Sequence, residues 1–118
     1  MVKDLIGKTI IEINGMEVDS EEVYFTCSVG SKYKMYHEQD CCESVYLEDI
    51  NGNIDNILNS EVLRFDEKEE DNPNACKSGT YTFYTIATIK GYLDLRWNGK
   101  SNGCYSESVD FTKIIKEG

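Results

Sequence analysis

The sequence predicts a mostly β fold, α+β only at the margin, and three observations support this prediction. Apolar and polar side chains alternate over short stretches, as at Val23, Phe25 and Cys27, which is the period-two pattern of a half-buried strand. Glycine and asparagine separate these stretches as turn residues. The chain also has eight tyrosines and 11% aromatic residues, and aromatic residues favour strands.

The first half of the chain predicts one helical turn and four strands. Gly30-Ser31 predicts a two-residue type II′ turn, because glycine comes first. Tyr33, Met35 and His37 are expected on one face of the return strand, since alternate residues of a strand share a face. The predicted elements are a helical turn at 4–7 and strands at 9–13, 23–29, 32–39 and around 45–47.

The second half predicts the same order of elements. Leu93, Leu95 and Trp97 are expected to share one face of a strand. The single proline, Pro73, lies in the longest predicted connection. The predicted elements are a helical turn at 54–59, strands at 61–65, 80–89, 92–97 and 105–115, and connections at 66–78 and 98–103.

Residues 4–50 and 56–115 predict an internal repeat. The residues starting at Glu43 and at Glu107 both read E-S-V-x-[L/F]-x-x-I. We therefore expect two similar units, each a short helical turn plus about four antiparallel strands. They would be related by a pseudo-two-fold axis and packed as a sandwich or a small barrel.

Length and composition indicate one globular domain, residues 1–118. The chain has 40% hydrophobic residues, no apolar run of the roughly 18 residues that a membrane helix needs, and no apolar stretch after Met1 typical of a secretion signal. Its five cysteines are an odd number, which favours free thiols in a reducing cytosol over a disulfide framework.

The net charge is −10, with 22 acidic residues and only two arginines. Such a surface repels phosphate backbones, so nucleic acid is not an expected partner. Two interpretations of the acidity remain open. It keeps the protein soluble, or it forms a surface that docks on a basic patch of another protein.

Several segments resemble a family of small phage and prophage proteins with a domain of unknown function. The resemblance rests on Y-H-E-Q-D-C-C-E-S-V from Tyr36, E-D-I-N-G from Glu48, R-W at Arg96, and S-N-G-C-Y-S-E-S-V from Ser101. It implies a virus- or mobile-element-encoded accessory protein that acts in the cytoplasm of a bacterial host. It supplies no catalytic residues.

Three kinds of chemical site can be drawn from the residues. His37 with Cys41 and Cys42 suggests zinc, but adjacent cysteines on an extended chain point to opposite faces and structural zinc needs four ligands. The same residues suggest a Cys-His nucleophile, which acidic neighbours oppose by raising the thiol pKa. The simplest interpretation of His37 is a partly packed, hydrogen-bonded side chain.

The third kind is a ligand pocket, in which Arg96, aromatic rings and the backbone amides of residues 98–103 would hold a phosphate or a base. We predict no catalytic residue, metal ligand or cofactor. The candidate binding residues are His37, Glu38, Asp40, Cys41, Cys42, Tyr92, Arg96, Ser101, Asn102 and Tyr105.

The sequence therefore favours a non-enzymatic phage accessory protein that binds and inhibits a bacterial host or anti-phage defence protein through its acidic surface. One alternative is a sponge that sequesters a nucleotide immune signal. A second alternative is a Cys/His-dependent enzyme or a zinc-binding protein. The oligomeric state is not predicted.

Overall fold

A computed structural model describes residues 5–37, 43–71, 78–101 and 109–114. These residues form eight strands and a 3-10 helix at Ile54–Asn56. The strands are β1 (Ile10–Asn14), β2 (Glu22–Cys27), β3 (Lys32–Tyr36), β4 (Ser44–Gly52), β5 (Arg64–Asp71), β6 (Ser78–Thr88), β7 (Gly91–Ser101) and β8 (Asp110–Ile114). None of the helical structure in these ranges has the length and apolar character that a membrane span requires.

The strands form two antiparallel four-stranded sheets, with the orders β1-β2-β3-β8 and β4-β7-β6-β5. The mostly β prediction is thereby confirmed, and the sheets do not close into a barrel. The predicted units were each built from consecutive strands. The sheets differ from this prediction, because β4 pairs with β7 and β8 pairs with β3. The sequence pattern of a strand shows which face is buried but does not determine which strand pairs with it.

The alternation predicted for the strands places their apolar side chains in the core. Leu93, Leu95 and Trp97 are all buried, as are Tyr33 and Met35 of β3. Trp97 Nε1 donates a hydrogen bond to Met35 Sδ at 3.2 Å, which links the two sheets through the core. A buried indole N–H thus has a partner, as burial of a polar group requires.

Aromatic rings fill another part of the space between the sheets. The ring of Phe111 stacks on that of Tyr33 with centroids 5.3 Å apart and lies 4.8 Å from the ring of Phe65. Tyr84 donates its hydroxyl hydrogen to Glu67 Oε2 at 2.5 Å. The ring pairs that Phe111 forms with Tyr33 and Phe65 add to the stabilisation that burial provides.

The turn between β2 and β3 differs from the predicted one. Gly30 N donates to Cys27 O at 2.9 Å, and Cys27 N donates to Ser31 O at 2.8 Å. Gly30 has a φ of 92°, so the connection is a three-residue turn ending in a left-handed glycine. Val29 lies in this turn and is exposed, whereas the prediction placed it in the half-buried strand.

Two predicted connections are strand wherever the structure describes them. β5 continues to Asp71, into the connection predicted at 66–78, and β7 continues to Ser101, into the loop predicted at 98–103. In β5 the residues after Phe65 are all polar, so the side chains give no alternation to detect. Residues 98–101 instead pair with residues 78–81 of β6.

One end of the sandwich, which we call the turn end, holds the 3-10 helix and both tight hairpin turns. Gly7 N donates to Val62 O at 2.8 Å, and Asn59 N donates to Ile10 O at 2.7 Å. These bonds join the segment before β1 to the segment before β5 and so connect the two sheets. The turn end comprises residues 5–12, 26–32, 53–64, 87–92 and 114.

Candidate functional site

The opposite end of the sandwich, which we call the acidic end, is where the longer connections of the chain begin and finish. The strand registers pair Tyr36 with Asp110 and Ser44 with Lys100, so the last residues of β3 and β7 and the first of β4 and β8 lie together. The acidic end comprises the described residues 15–22, 36–37, 43–46, 69–71, 78–81, 98–101 and 109–110.

Two backbone hydrogen bonds hold the β1–β2 loop of the first sheet against β4 of the second. Asp19 N donates to Leu47 O at 2.7 Å, and Leu47 N donates to Ser20 O at 2.8 Å. Gly15 starts this loop with a φ of 81°. The loop thereby presents its carboxylates beside the start of β4.

Carboxylates dominate this end of the molecule. Lys100 is the one lysine or arginine among its described residues. Apart from buried Glu43, the acidic side chains belong to exposed residues, and like charges so close together produce a negative potential. The acidic residues are Glu17, Asp19, Glu21, Glu22, Glu43, Glu69, Glu70, Asp71 and Asp110.

A hydrogen bond helps to keep one of these carboxylates, Glu22, ionised. Tyr24 donates its hydroxyl hydrogen to Glu22 Oε2 at 2.6 Å, and this bond, followed by the ammonium of Lys34, lowers the pKa of Glu22 despite some opposing desolvation. Glu22 therefore stays ionised to lower pH than an ordinary glutamate.

Two open clefts at the acidic end are lined by these carboxylates. The first has a volume of about 300 Å³ and is lined by Asp19, Glu21, Glu43, Ser44 and Tyr46. The second has a volume of about 310 Å³ and is lined by Glu69, Glu70, Asp71 and Thr80. Polar clefts with negative walls suit the long cationic side chains of lysine and arginine.

His37 lies at the base of the acidic end and contacts Glu43. His37 Nε2 is 2.8 Å from Glu43 Oε2, and the two side chains are only 4% and 0% exposed. This geometry agrees with the packed, hydrogen-bonded side chain expected of His37. The neighbouring candidates Glu38, Asp40, Cys41 and Cys42 lie outside the described residues.

Arg96 lies on the outer face of the second sheet, in the middle of β7. Its Nη2 is 2.8 Å from Glu48 Oε1, and its guanidinium carbon is 5.3 Å from the centre of the Tyr81 ring. Arg96 Nε is buried with no hydrogen-bond partner. The adjoining cleft, of about 310 Å³, is lined in part by Asp49 and Asp94, so its carboxylates oppose a phosphate.

The predicted ligand pocket is not assembled by the described residues. Tyr92 and Ser101 lie near opposite ends of β7, roughly 30 Å apart at about 3.3 Å per residue, with Arg96 between them. Residues 98–101 of the expected anion-binding loop form ladder pairs with β6, and residues 102–103 lie outside the described ranges. Asn102 and Tyr105, also predicted for this pocket, lie outside the described residues.

Comparison with known protein families identifies one relationship. The profile of the domain of unknown function DUF7448 matches residues 3–111, which is most of the chain. The chain belongs to the DUF7448 family. Searches of curated proteins and of solved structures gave no significant match.

No metal site is formed by the described part of this DUF7448 chain, since no three of its His, Cys, Asp or Glu side chains are placed to hold an ion together. The zinc and nucleophile alternatives depend on Cys41 and Cys42, which lie outside those ranges. His37 itself is engaged with Glu43.

Sequence reasoning missed the contribution of β5 to the acidic end of this DUF7448 domain. Residues 66–78 were expected to be a connection, and Glu69, Glu70 and Asp71 were not among the candidates. The available signal was the density of acidic residues in this segment. Its position at the acidic end could not be inferred without the pairing of β5 with β6, which places Asp71 opposite Thr80.

Proposed function

We propose that this DUF7448 protein is a non-enzymatic binding protein that docks through its acidic end on a basic surface of a partner protein. The observation that carries the proposal is the segregation of charge. The acidic end has exposed carboxylates on three segments and a single lysine within its bounds, although Lys34 and Lys68 just outside it pair with Glu22 and Glu70. The turn end has four basic residues, Lys8, Lys32, Arg64 and Lys90, against three acidic ones.

Charge segregation of this kind orients a protein as it approaches a partner. A negative potential at one end accelerates association with a positive surface and disfavours partners of like charge. The same potential opposes binding of nucleic acid at this end, since its phosphates are negative. A folded basic surface with protruding lysine or arginine side chains fits both the charge and the two clefts.

The family resemblance supports a more specific version of the proposal. A small phage or prophage accessory protein in the cytoplasm of a bacterial host meets host enzymes and anti-phage defence proteins. We propose that the partner is one of these proteins and that occupation of its basic surface inhibits it. Many such host proteins bind nucleic acid and therefore carry a basic surface that an acidic protein can block.

Paired charge reversals provide a matched test. The acidic-end variant is Glu21→Lys with Glu69→Lys, and the control is Glu12→Lys with Glu61→Lys near the turn end. All four glutamates are exposed, and each pair changes the net charge from −10 to −6. Because the total charge is the same, only its position distinguishes the variants.

Each protein is immobilised and exposed to host lysate, and the retained proteins are identified by mass spectrometry. We expect wild type and the control to retain a basic protein that the acidic-end variant does not retain. Retention of the same proteins by all three baits, or loss in both variants, would contradict docking through the acidic end.

A nucleotide sponge has less support from the geometry. Arg96 lies over the Tyr81 ring, which is a feature of base-stacking sites, but Arg96 is paired with Glu48 and its cleft is lined by Asp49 and Asp94. A thermal-shift screen against linear and cyclic nucleotides tests this alternative, since a ligand that binds the folded state raises the melting temperature.

We also infer that the two halves are related by duplication, with an approximate two-fold axis. The sheets have equivalent strand orders if β1, β2 and β3 correspond to β5, β6 and β7, and β8 to β4. The reciprocal bonds from Gly7 to Val62 and from Asn59 to Ile10 support this correspondence. An exchange of the fourth strands between the halves accounts for the observed orders. Circular permutation at residues 53–56 tests this idea, because an equivalent pair of halves should refold in either order.

A further inference from the structure

The turn end carries most of the exposed apolar side chains in the described part of the chain. Val29 is 73% exposed and Ile89 is 87% exposed, and both lie in the hairpin turns. Val18 is the one large exposed apolar residue found at the acidic end. The apolar residues of the turn end are Ile6, Ile11, Val29, Leu63, Ile89 and Tyr92.

Backbone hydrogen bonds place these residues on neighbouring segments. Ser28 N donates to Thr9 O at 2.9 Å, which joins the β2–β3 turn to the segment before β1. Leu63 N donates to Ala87 O at 2.8 Å, which joins the segment before β5 to the β6–β7 hairpin. The exposed apolar side chains therefore lie on segments that adjoin one another at the turn end, and grouped exposure of this kind marks interaction sites.

The charges around this surface determine which partner it fits. Lys8, Lys90 and Arg64 occur there together with Glu12 and Glu61, so both signs are available on the same patch. A two-fold symmetric interface brings one patch against an identical one and therefore requires that the patch be complementary to itself. The acidic end cannot meet this requirement, because its charges are nearly all negative.

We propose that the turn end is the interface of a homodimer of this chain. Two chains of charge −10 repel each other least when their acidic ends point away from the contact. Packing turn end against turn end removes the exposed apolar side chains from water and allows lysines of one copy to meet glutamates of the other. The arrangement leaves both acidic ends facing outward.

This inference does not rest on the proposed function, but it has a consequence for it. A dimer with two outward acidic ends presents two equivalent docking surfaces, so a multimeric partner would be bound more tightly than by a single copy.

Sedimentation velocity over a wide range of protein concentrations tests the dimer. The disrupting variants are Leu63→Asn and Ile89→Asn, each at an exposed position, and the matched control is Val18→Asn at the acidic end. Leu63 and Val18 are 57% and 54% exposed, so the two substitutions change similar amounts of exposed apolar surface. Circular dichroism shows whether each variant is folded, and Ile89→Asn in a hairpin turn is the variant least able to disturb folding.

We expect wild type and Val18→Asn to dimerise with similar dissociation constants. Each turn-end substitution acts twice in a symmetric dimer, so we expect it to raise the dissociation constant by at least roughly tenfold. A wild-type protein that stays monomeric at all concentrations would overturn the inference. So would a dimer that Ile89→Asn leaves intact or that Val18→Asn dissociates. Because Glu12→Lys with Glu61→Lys also changes this interface, partner binding is compared among the charge variants at protein concentrations at which sedimentation shows all of them to be monomeric. Under that condition none of the results above affects docking of the acidic end on a partner.

Discussion

Replacement of Glu43 by alanine should destabilise the protein more than alanine at any exposed carboxylate of the acidic end. The Glu43 side chain is fully buried, and its Oε2 lies 2.8 Å from Nε2 of His37, which is itself 4% exposed. Alanine leaves the imidazole without this carboxylate where water has little access. Leaving a buried hydrogen-bonding group without its partner costs about 1–3 kcal/mol, a sizeable part of the roughly 5–15 kcal/mol of stability typical of a domain.

Urea unfolding at neutral pH, followed by tyrosine and tryptophan fluorescence, measures this loss as a lower midpoint with an unchanged slope. Glu43→Gln retains a hydrogen-bonding side chain of the same size and should cost only about 1 kcal/mol. Glu21→Ala, an exposed carboxylate in the same cleft, should change stability by less than about 0.5 kcal/mol. If Glu43→Ala costs no more than Glu21→Ala, the buried contact with His37 does not stabilise the fold, and this reasoning is wrong.

Three further predictions follow from buried or strained groups. Burial, followed by a neighbouring carboxylate, raises the pKa of Tyr84 above its ordinary value of 10.0. The stability that its neutral hydroxyl contributes is therefore present below pH 10 and is lost as pH rises further. Urea unfolding between about pH 9 and 11 should show a smaller loss of stability in Tyr84→Phe than in wild type. Burial also raises the pKa of the Cys27 thiol, so iodoacetamide followed by peptide mass spectrometry should label Cys27 only after unfolding. Gly15→Ala should cost more stability than Gly30→Ala, by about 1 kcal/mol or more, because both glycines have positive φ but only at Gly15 would a Cβ strike the backbone of Glu22.

The strands that the sequence predicts well are those with one face in the core and the other in water. In β7, Leu93, Leu95 and Trp97 alternate with polar residues, and all three are buried. The same rule fails for β5, because this edge strand has charged residues on both faces after Phe65. The rule also fails to assign neighbours, since the face that a strand buries does not determine which strand pairs with it. This is why the pairing of β4 with β7 and of β8 with β3 was not predicted.

For the candidate site too, composition predicted the charge, but its location depends on how the strands pair. The excess of carboxylates was evident from composition, and a docking role was among the interpretations it allowed. Its concentration at one end depends on strand direction, because the start of β4, with the β1–β2 loop against it, and the end of β5 lie at the same end of the second sheet, on its opposite edges. Tyr92, Arg96 and Ser101 were grouped because they are close in sequence, but an extended strand separates them.

The salt dependence of partner binding tests the central claim most directly, with the basic protein captured from lysate purified and titrated against wild type and both charge-reversal pairs. The account predicts that the dissociation constant of wild type rises steeply between about 0.05 and 0.3 M salt. It also predicts that Glu12→Lys with Glu61→Lys keeps this dependence, while Glu21→Lys with Glu69→Lys binds at least about tenfold more weakly and responds less to salt. A dissociation constant that does not change with salt, or equal weakening by the two pairs, would contradict docking through the acidic end.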